Sequence, residues 1–361
     1  MSVASRFDLC NNSLSSVPGK FKVMEEALAS TVPPVKRNWF WPIFKQTLFV
    51  LVVFCVGQRA FGLWRESPPT PLHVDLRWLI PAAAIYLAGW LPSIWFWRVL
   101  LKRMSQRVGW YDAIRAHYVG GIGKYMPGKA LVLVLRGTLL KDHGVNPLLA
   151  GLTSLYETLI FMSSGVSIAV ALAPWALPAI AWECLPASLQ CLRQRTLWVP
   201  MLSLLITIGI TPLGANVFTL IGQKTLRRVP NVKAVSEFNT GLLVQGALMT
   251  SLGWCLHALS LGCTLQAVSD GTFNFDQFPL WLAAVCTSTV GGFVILIAPG
   301  GLGVREWILV EMLQDQASIG PTRAVAAAAL LRAVWFSSEL LAAGILYAAN
   351  KTPRQDPAAT D

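Results

Sequence analysis

The sequence predicts an all-α polytopic membrane protein, and three observations lead to that fold class. First, 54% of its 361 residues are hydrophobic and only 13% are charged, whereas a typical soluble domain carries about 25% charged residues. Second, the apolar residues fall into blocks of roughly 20 or more, the length that a helix needs to cross a hydrocarbon core of about 30 Å. Third, many of the 15 Trp lie at the edges of these blocks, and indole rings favour the membrane–water interface.

Six apolar blocks are long enough to be full spans. We place them at about 40–60, 78–101, 147–173, 196–221, 241–267 and 321–349. Together with two broken regions, they predict about six to eight transmembrane helices in a single transmembrane domain over residues 39–349. The polar residues 1–38 lack the apolar core of a signal peptide, so they predict a partly disordered cytoplasmic tail. Residues 350–361 predict a second short tail.

Two apolar regions are interrupted by Pro-Gly sequences. Residues 110–141 are broken at Pro127-Gly128, and residues 279–314 at Pro299-Gly300-Gly301. Each piece after the break has about 11 residues or fewer, which as a helix is roughly 17 Å and too short to cross. Each region therefore predicts a re-entrant hairpin of two half-helices, buried in protein or lining a wet cavity. The alternative for the second region is a full span at 279–298 followed by a loop.

The order of elements repeats along the chain, because each half reads span, span, hairpin, span. Three full spans per half make the second half enter from the opposite side, which predicts an inverted repeat of residues 39–173 and 196–349, a plan common among secondary transporters. Lys and Arg concentrate in the segments that lie inside when the N-terminus is cytoplasmic. This distribution also explains the net charge of +11, and without a nucleic-acid-binding motif we expect no nucleic-acid partner.

Ionisable residues inside the predicted hairpins and spans are the candidates for function, because each costs about 2.5–3.5 kcal/mol on insertion scales. They are Lys129, Arg136, Arg305, Arg332, Glu157, Glu306 and Glu339. Half-helices that begin inside the membrane also direct unpaired N–H groups and a positive dipole end at their surroundings. The two breaks, with the nearby basic residues, therefore predict an anion site whose natural ligand is a lipid phosphate.

A structural explanation of these charges stays open beside the functional one. Glu157 or Glu339 would then pair with Arg136, Arg305 or Arg332 only to fix the helix register. Lys124 and Lys129 are likewise explained as side chains that extend to the cytoplasmic surface, and His257 is explained as a satisfied core histidine.

The residues around both breaks resemble the signature motifs of a known family. The run GKYMPGK from Gly123 to Lys129, followed by Arg136, resembles the first signature of the lysylphosphatidylglycerol synthase transmembrane-region family, and PGGLGVRE from Pro299 to Glu306 resembles the second. The resemblance covers roughly residues 40–349. It implies a lipid-flipping function, because in the best-known members this region is the part of multiple peptide resistance factor that moves aminoacylated phosphatidylglycerol outward.

Two departures from the family pattern affect what the resemblance implies. No soluble aminoacyl-transferase domain follows the last span, so we do not expect this chain to make lysyl-lipid itself. Many members carry a Gly and an acid soon after the first Pro-Gly, where this sequence has Leu131, Val132 and Leu133. The identity of the lipid therefore stays open. The Lys-Tyr-X-Pro-Gly-Lys form also resembles members encoded among glycosyl-lipid and cell-envelope functions, which implies a polyprenyl-phosphate or glycolipid substrate as an alternative.

The sequence and the resemblance together predict a flippase-like lipid translocase in the bacterial inner membrane, without enzymatic activity, metal or cofactor. Lys129, Arg136 and Arg305 would bind phosphate, while Glu306, Glu157 and Glu339 would balance charge, bind an amine or carry protons. Arg332 shares a helix face with Glu339, seven residues further on. The residues that would shape the broken helices are Pro127, Gly128, Pro299, Gly300, Gly301 and Gly303.

The expected partners are lipid headgroups and a separate lipid-modifying enzyme or glycosyltransferase. Two other functions remain open. One is a membrane-embedded lipid-modifying transferase, although such enzymes typically show an acidic pair in an outer loop and the 59–77 loop offers only Glu66 and Asp75. The other is a non-transporting accessory subunit of a cell-envelope or exopolysaccharide assembly system.

Overall fold

The computed structural model describes residues 73–125, 131–176, 239–269, 273–294, 301–316 and 318–349, together with the isolated residues Gln58 and Gly62. The helices are α1 (Leu79–Gly89), α2 (Leu91–Arg103), α3 (Trp110–Gly121), α4 (Leu131–Lys141), α5 (Pro147–Ala176), α6 (Thr240–Ala267), α7 (Phe278–Val294), α8 (Val304–Leu313) and α9 (Gly320–Ala348). No strand occurs in these ranges, and the predicted all-α fold is confirmed. Both predicted tails, the predicted span 196–221 and, apart from Gln58, the predicted span 40–60 lie outside the described residues.

Within the described ranges, five helical segments are long and apolar enough to cross a membrane, which confirms the polytopic class. They are Leu76–Arg103, Pro147–Pro174, Thr240–Ala267, Phe275–Val294 and Gly320–Ala348. The first of them contains a 3-10 turn at Leu76–Trp78, then α1 and α2, which are separated by a turn at Trp90. Pro92 stands in the first turn of α2, and because proline has no N–H to donate, the regular hydrogen-bond ladder is interrupted there.

The first span and α6 pack antiparallel over their whole length. At one end the Asp75 N–H donates to the Ala267 carbonyl at 2.8 Å, and further along the Ser260 hydroxyl donates to the Ala82 carbonyl at 2.8 Å. In the middle, a Cβ on Gly253 would lie 2.7 Å from the Gly89 carbonyl oxygen. Glycine therefore lets the two backbones approach closely, as small residues do in membrane helix pairs.

The first predicted hairpin consists of α3, a 3-10 turn at Ile122–Tyr125, and α4. It enters and leaves at one end of the bundle, because the His143 ring lies 3.2 Å from the Asp112 carboxylate and the Asn146 N–H donates to the Gln106 side chain at 3.0 Å. The two arms run antiparallel, and Gly120 packs against Arg136. This geometry agrees with a re-entrant hairpin.

The first arm of the second hairpin is long enough to be a full span, as the alternative at 279–298 predicts. Phe275–Val294 has 20 residues and is long enough to cross, so it is not a half-helix by length. The ten-residue α8 nevertheless folds back along it, with Arg305 against Gly292. The Gln277 amide donates to the Ser318 hydroxyl at 2.8 Å, so α9 begins at the end where α7 began. The full span of the alternative is therefore supported by its length, whereas the loop that it places after the span is not, because α8 returns along α7.

The two hairpins enter the bundle from opposite ends. The start of α6 lies at the end of the first hairpin, because Leu242 and Leu243 pack with Leu100 and Met104. The second hairpin starts beyond the opposite end of α6. The described elements therefore have the order and the opposed directions that an inverted repeat requires, while the first span of each predicted half lies outside them.

Candidate functional site

The hairpins meet at a cavity of about 360 Å³ in the middle of the described bundle. Its wall combines residues of the first span, both hairpins, α5, α6 and α9, and much of it is aromatic or aliphatic. Among the residues that the structure describes, five charged side chains are part of this wall: Lys124, Arg136, Glu157, Arg305 and Glu339. Four of the seven charged residues predicted from the sequence are thus brought together, although no two of the four are close in sequence.

Arg136 and Glu157 form an almost fully buried ion pair. The Arg136 Nη1 lies 3.0 Å from the Glu157 Oε2, and their side chains are 6% and 2% exposed. The same Nη1 donates to the Ser154 hydroxyl at 2.7 Å, and the Ser93 hydroxyl donates to the other Glu157 oxygen. Each charge therefore has both a counter-ion and hydrogen bonds, which is what makes a buried pair tolerable. This is one of the ion pairs that the structural explanation predicts.

Gly120 makes room for this arginine. A Cβ at Gly120 would lie 2.7 Å from the Arg136 Cγ and 3.1 Å from its backbone nitrogen, whereas a Cβ at Gly121 would meet nothing within 4 Å.

We expect Gly120→Ala to lower the stability of the folded protein by about 1–3 kcal/mol, because the added methyl group overpacks the contact between α3 and α4. Gly121→Ala is the matched control and should leave stability equal or slightly higher, since alanine favours a helix over glycine. Thermal unfolding of both purified variants in one detergent measures the difference. Equal melting temperatures would contradict the close approach at Gly120.

Glu339 is the second buried carboxylate of the cavity and accepts from three donors. Lys124 Nζ lies 2.5 Å from its Oε1, the Tyr86 hydroxyl donates to the same oxygen, and the Tyr125 hydroxyl donates to Oε2 at 2.9 Å. The Lys124 ammonium also lies 5.5 Å from the centre of the Trp90 ring. The interpretation of Lys124 as a residue that extends to the cytoplasmic surface is therefore wrong, because its charge is held inside the bundle.

Arg305 has different surroundings from the other two cations. Its Nη2 donates to the Thr289 hydroxyl at 2.9 Å, and its guanidinium lies 5.1 Å from the centre of the Trp335 ring. Gly292 and Gly301 leave space for its aliphatic stem, and Gly301 has a φ of +70° that favours glycine. Among the described residues no carboxylate lies within ion-pair distance of Arg305.

Glu306, Arg332 and Gly303 lie beside the cavity and are not part of its wall. The Glu306 carboxylate accepts from the Gly303 backbone N–H at 2.7 Å, so it caps the start of α8. Gly303 has a φ of +85°, a conformation in which other residues are strained. Arg332 Nε lies 3.5 Å from the other Glu306 oxygen. Pro127, Gly128, Lys129, Pro299 and Gly300 lie outside the described residues, and their roles stay predictions.

Several cavity residues were not expected from the sequence. Tyr86, Trp90, His117 and Trp335 are part of the wall, and aromatic residues inside apolar blocks are usually ordinary core. For His117 a signal was present, because His117, Gly121 and Lys124 stand at positions i, i+4 and i+7 of one helical face.

His257 was expected to be a satisfied core histidine. It is 2% exposed and packs 5.0 Å from the Trp90 ring and 5.1 Å from the Tyr86 ring, measured between centroids. Its Nε2 has no hydrogen-bond partner among the described residues, so within this part of the chain the residue is buried in the core but not satisfied at this atom. Within the described ranges, no group of three or more His, Cys, Asp or Glu side chains is arranged to hold a metal ion.

A comparison with known protein families matches residues 47–342 to the family described as the lysylphosphatidylglycerol synthase TM region. The matched segment contains both hairpins and every residue of the cavity wall. No curated protein matches the chain.

Proposed function

Because this chain belongs to the lysylphosphatidylglycerol synthase transmembrane-region family, we propose that it is a flippase-like translocase whose central cavity carries a lipid headgroup across the membrane. The single observation that supports this most directly is the cavity, where three basic and two acidic side chains of the described residues lie among aromatic and aliphatic ones. Ionisable groups inside a membrane protein are costly and typically mark a substrate or ion pathway.

The chemistry of the wall suits a polar headgroup. A phosphate without hydrogen bonds in hydrocarbon would lose most of its hydration energy, so it crosses slowly unless protein groups replace the water. Arg305 and Thr289 line the cavity from one hairpin, and Lys124 and Arg136 line it from the other. A volume of about 360 Å³ is in the range of small-molecule sites and suits a headgroup whose acyl chains remain in the bilayer.

The two hairpins also provide a means of alternating access. The first hairpin enters from the end where His143 and Asp112 pair, and the second from the end where Gln277 and Ser318 pair. A small displacement of either hairpin would open the cavity toward one leaflet only. Transporters built from inverted repeats place their binding sites between the repeats in this way.

The same proposal includes the cellular setting that the sequence predicts. The protein would act in the bacterial inner membrane with its N-terminus in the cytoplasm, and a separate lipid-modifying enzyme or glycosyltransferase would supply its substrate. An anionic or aminoacylated phospholipid and a polyprenyl-phosphate-linked glycolipid are the substrate classes.

Lipid movement in reconstituted vesicles tests the proposal. Fluorescent phospholipids and a polyprenyl-phosphate analogue are followed by the accessibility of the label to an external quencher. We expect Arg305→Gln to slow translocation by roughly tenfold or more, because a hydrogen bond to a charged group contributes about 1.5–3 kcal/mol. Arg103→Gln is the matched control, since Arg103 is exposed at the end of α2, and it should translocate at the wild-type rate.

The two variants separate the possible outcomes. Equal translocation rates for Arg305→Gln and the wild type would show that Arg305 does not take part in lipid translocation. No movement of any tested lipid by folded wild-type protein would instead favour the accessory-subunit function, and a stably co-purifying partner would support it.

A further inference from the structure

One face of α9 holds the tip of the first hairpin. Glu339 on this face accepts from Lys124 at 2.5 Å and from the Tyr125 hydroxyl at 2.9 Å. One turn earlier in α9, Phe336 packs edge-on against the Tyr125 ring, with 5.0 Å between the ring centroids. Arg332 stands seven residues before Glu339 and therefore lies on the same helix face. The basic residue nearest to the hairpin tip on α9 is thus part of this contact.

Arg332 contacts the second hairpin at the same time. Its Nε lies 3.5 Å from the Glu306 carboxylate on α8, and α8 is the second arm of that hairpin. Its guanidinium carbon lies 5.6 Å from the centre of the Tyr125 ring, at the tip of the first hairpin. A carboxylate attracts a guanidinium by its charge, and an aromatic ring attracts it by its quadrupole. One positive charge is therefore shared between two hairpins that enter the bundle from opposite ends.

The surroundings of Arg332 leave this charge room to shift between its partners. A second cavity, of about 20 Å³, adjoins the side chain and is also lined by Glu306, Arg305 and Trp335. This volume holds about one water molecule. The side chains of Arg332 and Glu306 are 17% and 20% exposed, so neither is locked in place by dense packing on every side. The guanidinium therefore has space to turn without a movement of α9.

The strength of each contact depends on the other. While Glu306 is in place, its negative charge cancels part of the field that the guanidinium presents to the Tyr125 ring. When α8 moves away, Arg332 keeps its full charge, because an arginine is not deprotonated in proteins. Its attraction to the Tyr125 ring then increases, and the gain is larger in a site that little water reaches. Loosening the second hairpin therefore tightens the first.

We propose that Arg332 is a positioning residue that couples the two hairpins in opposite senses, so that release of one hairpin from α9 strengthens the hold on the other. The inference rests on the proposed function, in which each hairpin closes the cavity toward one leaflet. A translocase that opened toward both leaflets at once would contain a continuous polar pore, so its two hairpins need such a link. Arg332 was predicted from the sequence to bind substrate, whereas in this inference it acts through Tyr125 and Glu306.

Hydrogen–deuterium exchange of the purified full-length protein in detergent measures the coupling. Glu306→Gln removes the charge that holds Arg332 but keeps a side-chain oxygen that can cap α8. We expect amide exchange in the turn Ile122–Tyr125 to become roughly threefold or more slower, although the substitution is in the other hairpin. Asp276→Asn is the matched control, because Asp276 is an exposed acid at the far end of the same hairpin, and it should leave this exchange unchanged.

Variants of Arg332 identify the residue through which the effect passes. In an Arg332→Gln background, Glu306→Gln should no longer slow exchange at the tip of the first hairpin. Arg332→Lys should retain part of the effect, because the charge remains while the planar contact with the ring is lost. Tyr125→Leu should slow exchange at the start of α8, since coupling between two sites acts equally in both directions. Gel filtration and melting curves establish that each variant is folded.

The direction of the change decides between coupling and a contact that only stabilises the fold. Faster or unchanged exchange at Ile122–Tyr125 in Glu306→Gln overturns the coupling, because a purely structural contact loosens its surroundings when it is removed. Slower exchange that persists in the Arg332→Gln background overturns the assignment to Arg332. Coupled exchange without lipid movement in vesicles keeps the coupling and removes the translocase function, whereas lipid movement without coupled exchange does the opposite.

Discussion

Arg136→Gln is expected to lower the stability of the folded protein by about 3–5 kcal/mol, the cost of leaving a buried charge without its partner. Glu157 is 2% exposed, so its carboxylate would remain in the interior with only the Ser93 hydroxyl and its neighbours to stabilise it. Glu157→Gln should cost a similar amount, because it leaves the guanidinium unpaired. Since native proteins are stable by only about 5–15 kcal/mol, either single variant should express poorly or melt at a much lower temperature.

The double variant Arg136→Gln with Glu157→Gln distinguishes this explanation from simple loss of packing. Replacing both members of a buried ion pair by uncharged groups of similar size often changes the stability little. The double variant should therefore recover most of the lost stability. A double-mutant cycle of melting temperatures measures the coupling between the two residues. Losses that simply add would show that the ion pair is not the source of the effect.

Glu339→Ala is expected to have the second large effect, a loss of about 3 kcal/mol in the stability of the folded protein. The substitution removes the acceptor of three donors, Tyr86, Lys124 and Tyr125. The Lys124 side chain is 30% exposed, so its unpaired charge should cost less than the fully buried Arg136 would.

A graded series tests this arrangement. Tyr125→Phe removes one of the three hydrogen bonds and should cost about 1 kcal/mol, and Glu339→Gln should fall between the two, because the amide oxygen still accepts but carries no charge. Thermal unfolding in detergent gives the order of the variants. An equal loss of stability in Tyr125→Phe and Glu339→Ala would contradict the proposed role of Glu339 as the shared acceptor.

The fold was predictable where length and hydropathy decide it. The span ending at Arg103, for example, follows from an apolar block closed by two basic residues, and the glycines at 120–121 and 291–292 with Pro-Gly breaks downstream indicate the hairpins. The first arm of the second hairpin begins before the predicted residue 279, because Phe275–Gln277 forms a turn that extends α7. The return of α8 along α7 depends on a tertiary contact between Gly292 and Arg305, which hydropathy does not report.

The site was predictable in its residue types but not in its pairs. Glu157 and Glu339 stand out because charges are rare in apolar spans, and Arg136 is the predicted type of partner for Glu157. The partner of Glu339 is Lys124, 215 residues away in sequence, and no local pattern indicates which hairpin tip reaches α9. Glu306 was predicted to be a substrate-binding residue. Its position three residues after Gly303 lets its carboxylate cap the start of α8.

In the function that we propose, this protein moves a lipid headgroup through the cavity between its hairpins. The most direct measurement is the rate at which a fluorescent phosphodiester lipid becomes accessible to an external quencher in vesicles with and without the wild-type protein. We expect movement to be faster by roughly tenfold or more with the protein present, and we expect Arg305→Gln to lower this rate while Arg103→Gln retains it. Equal rates in vesicles with and without correctly folded protein would contradict it.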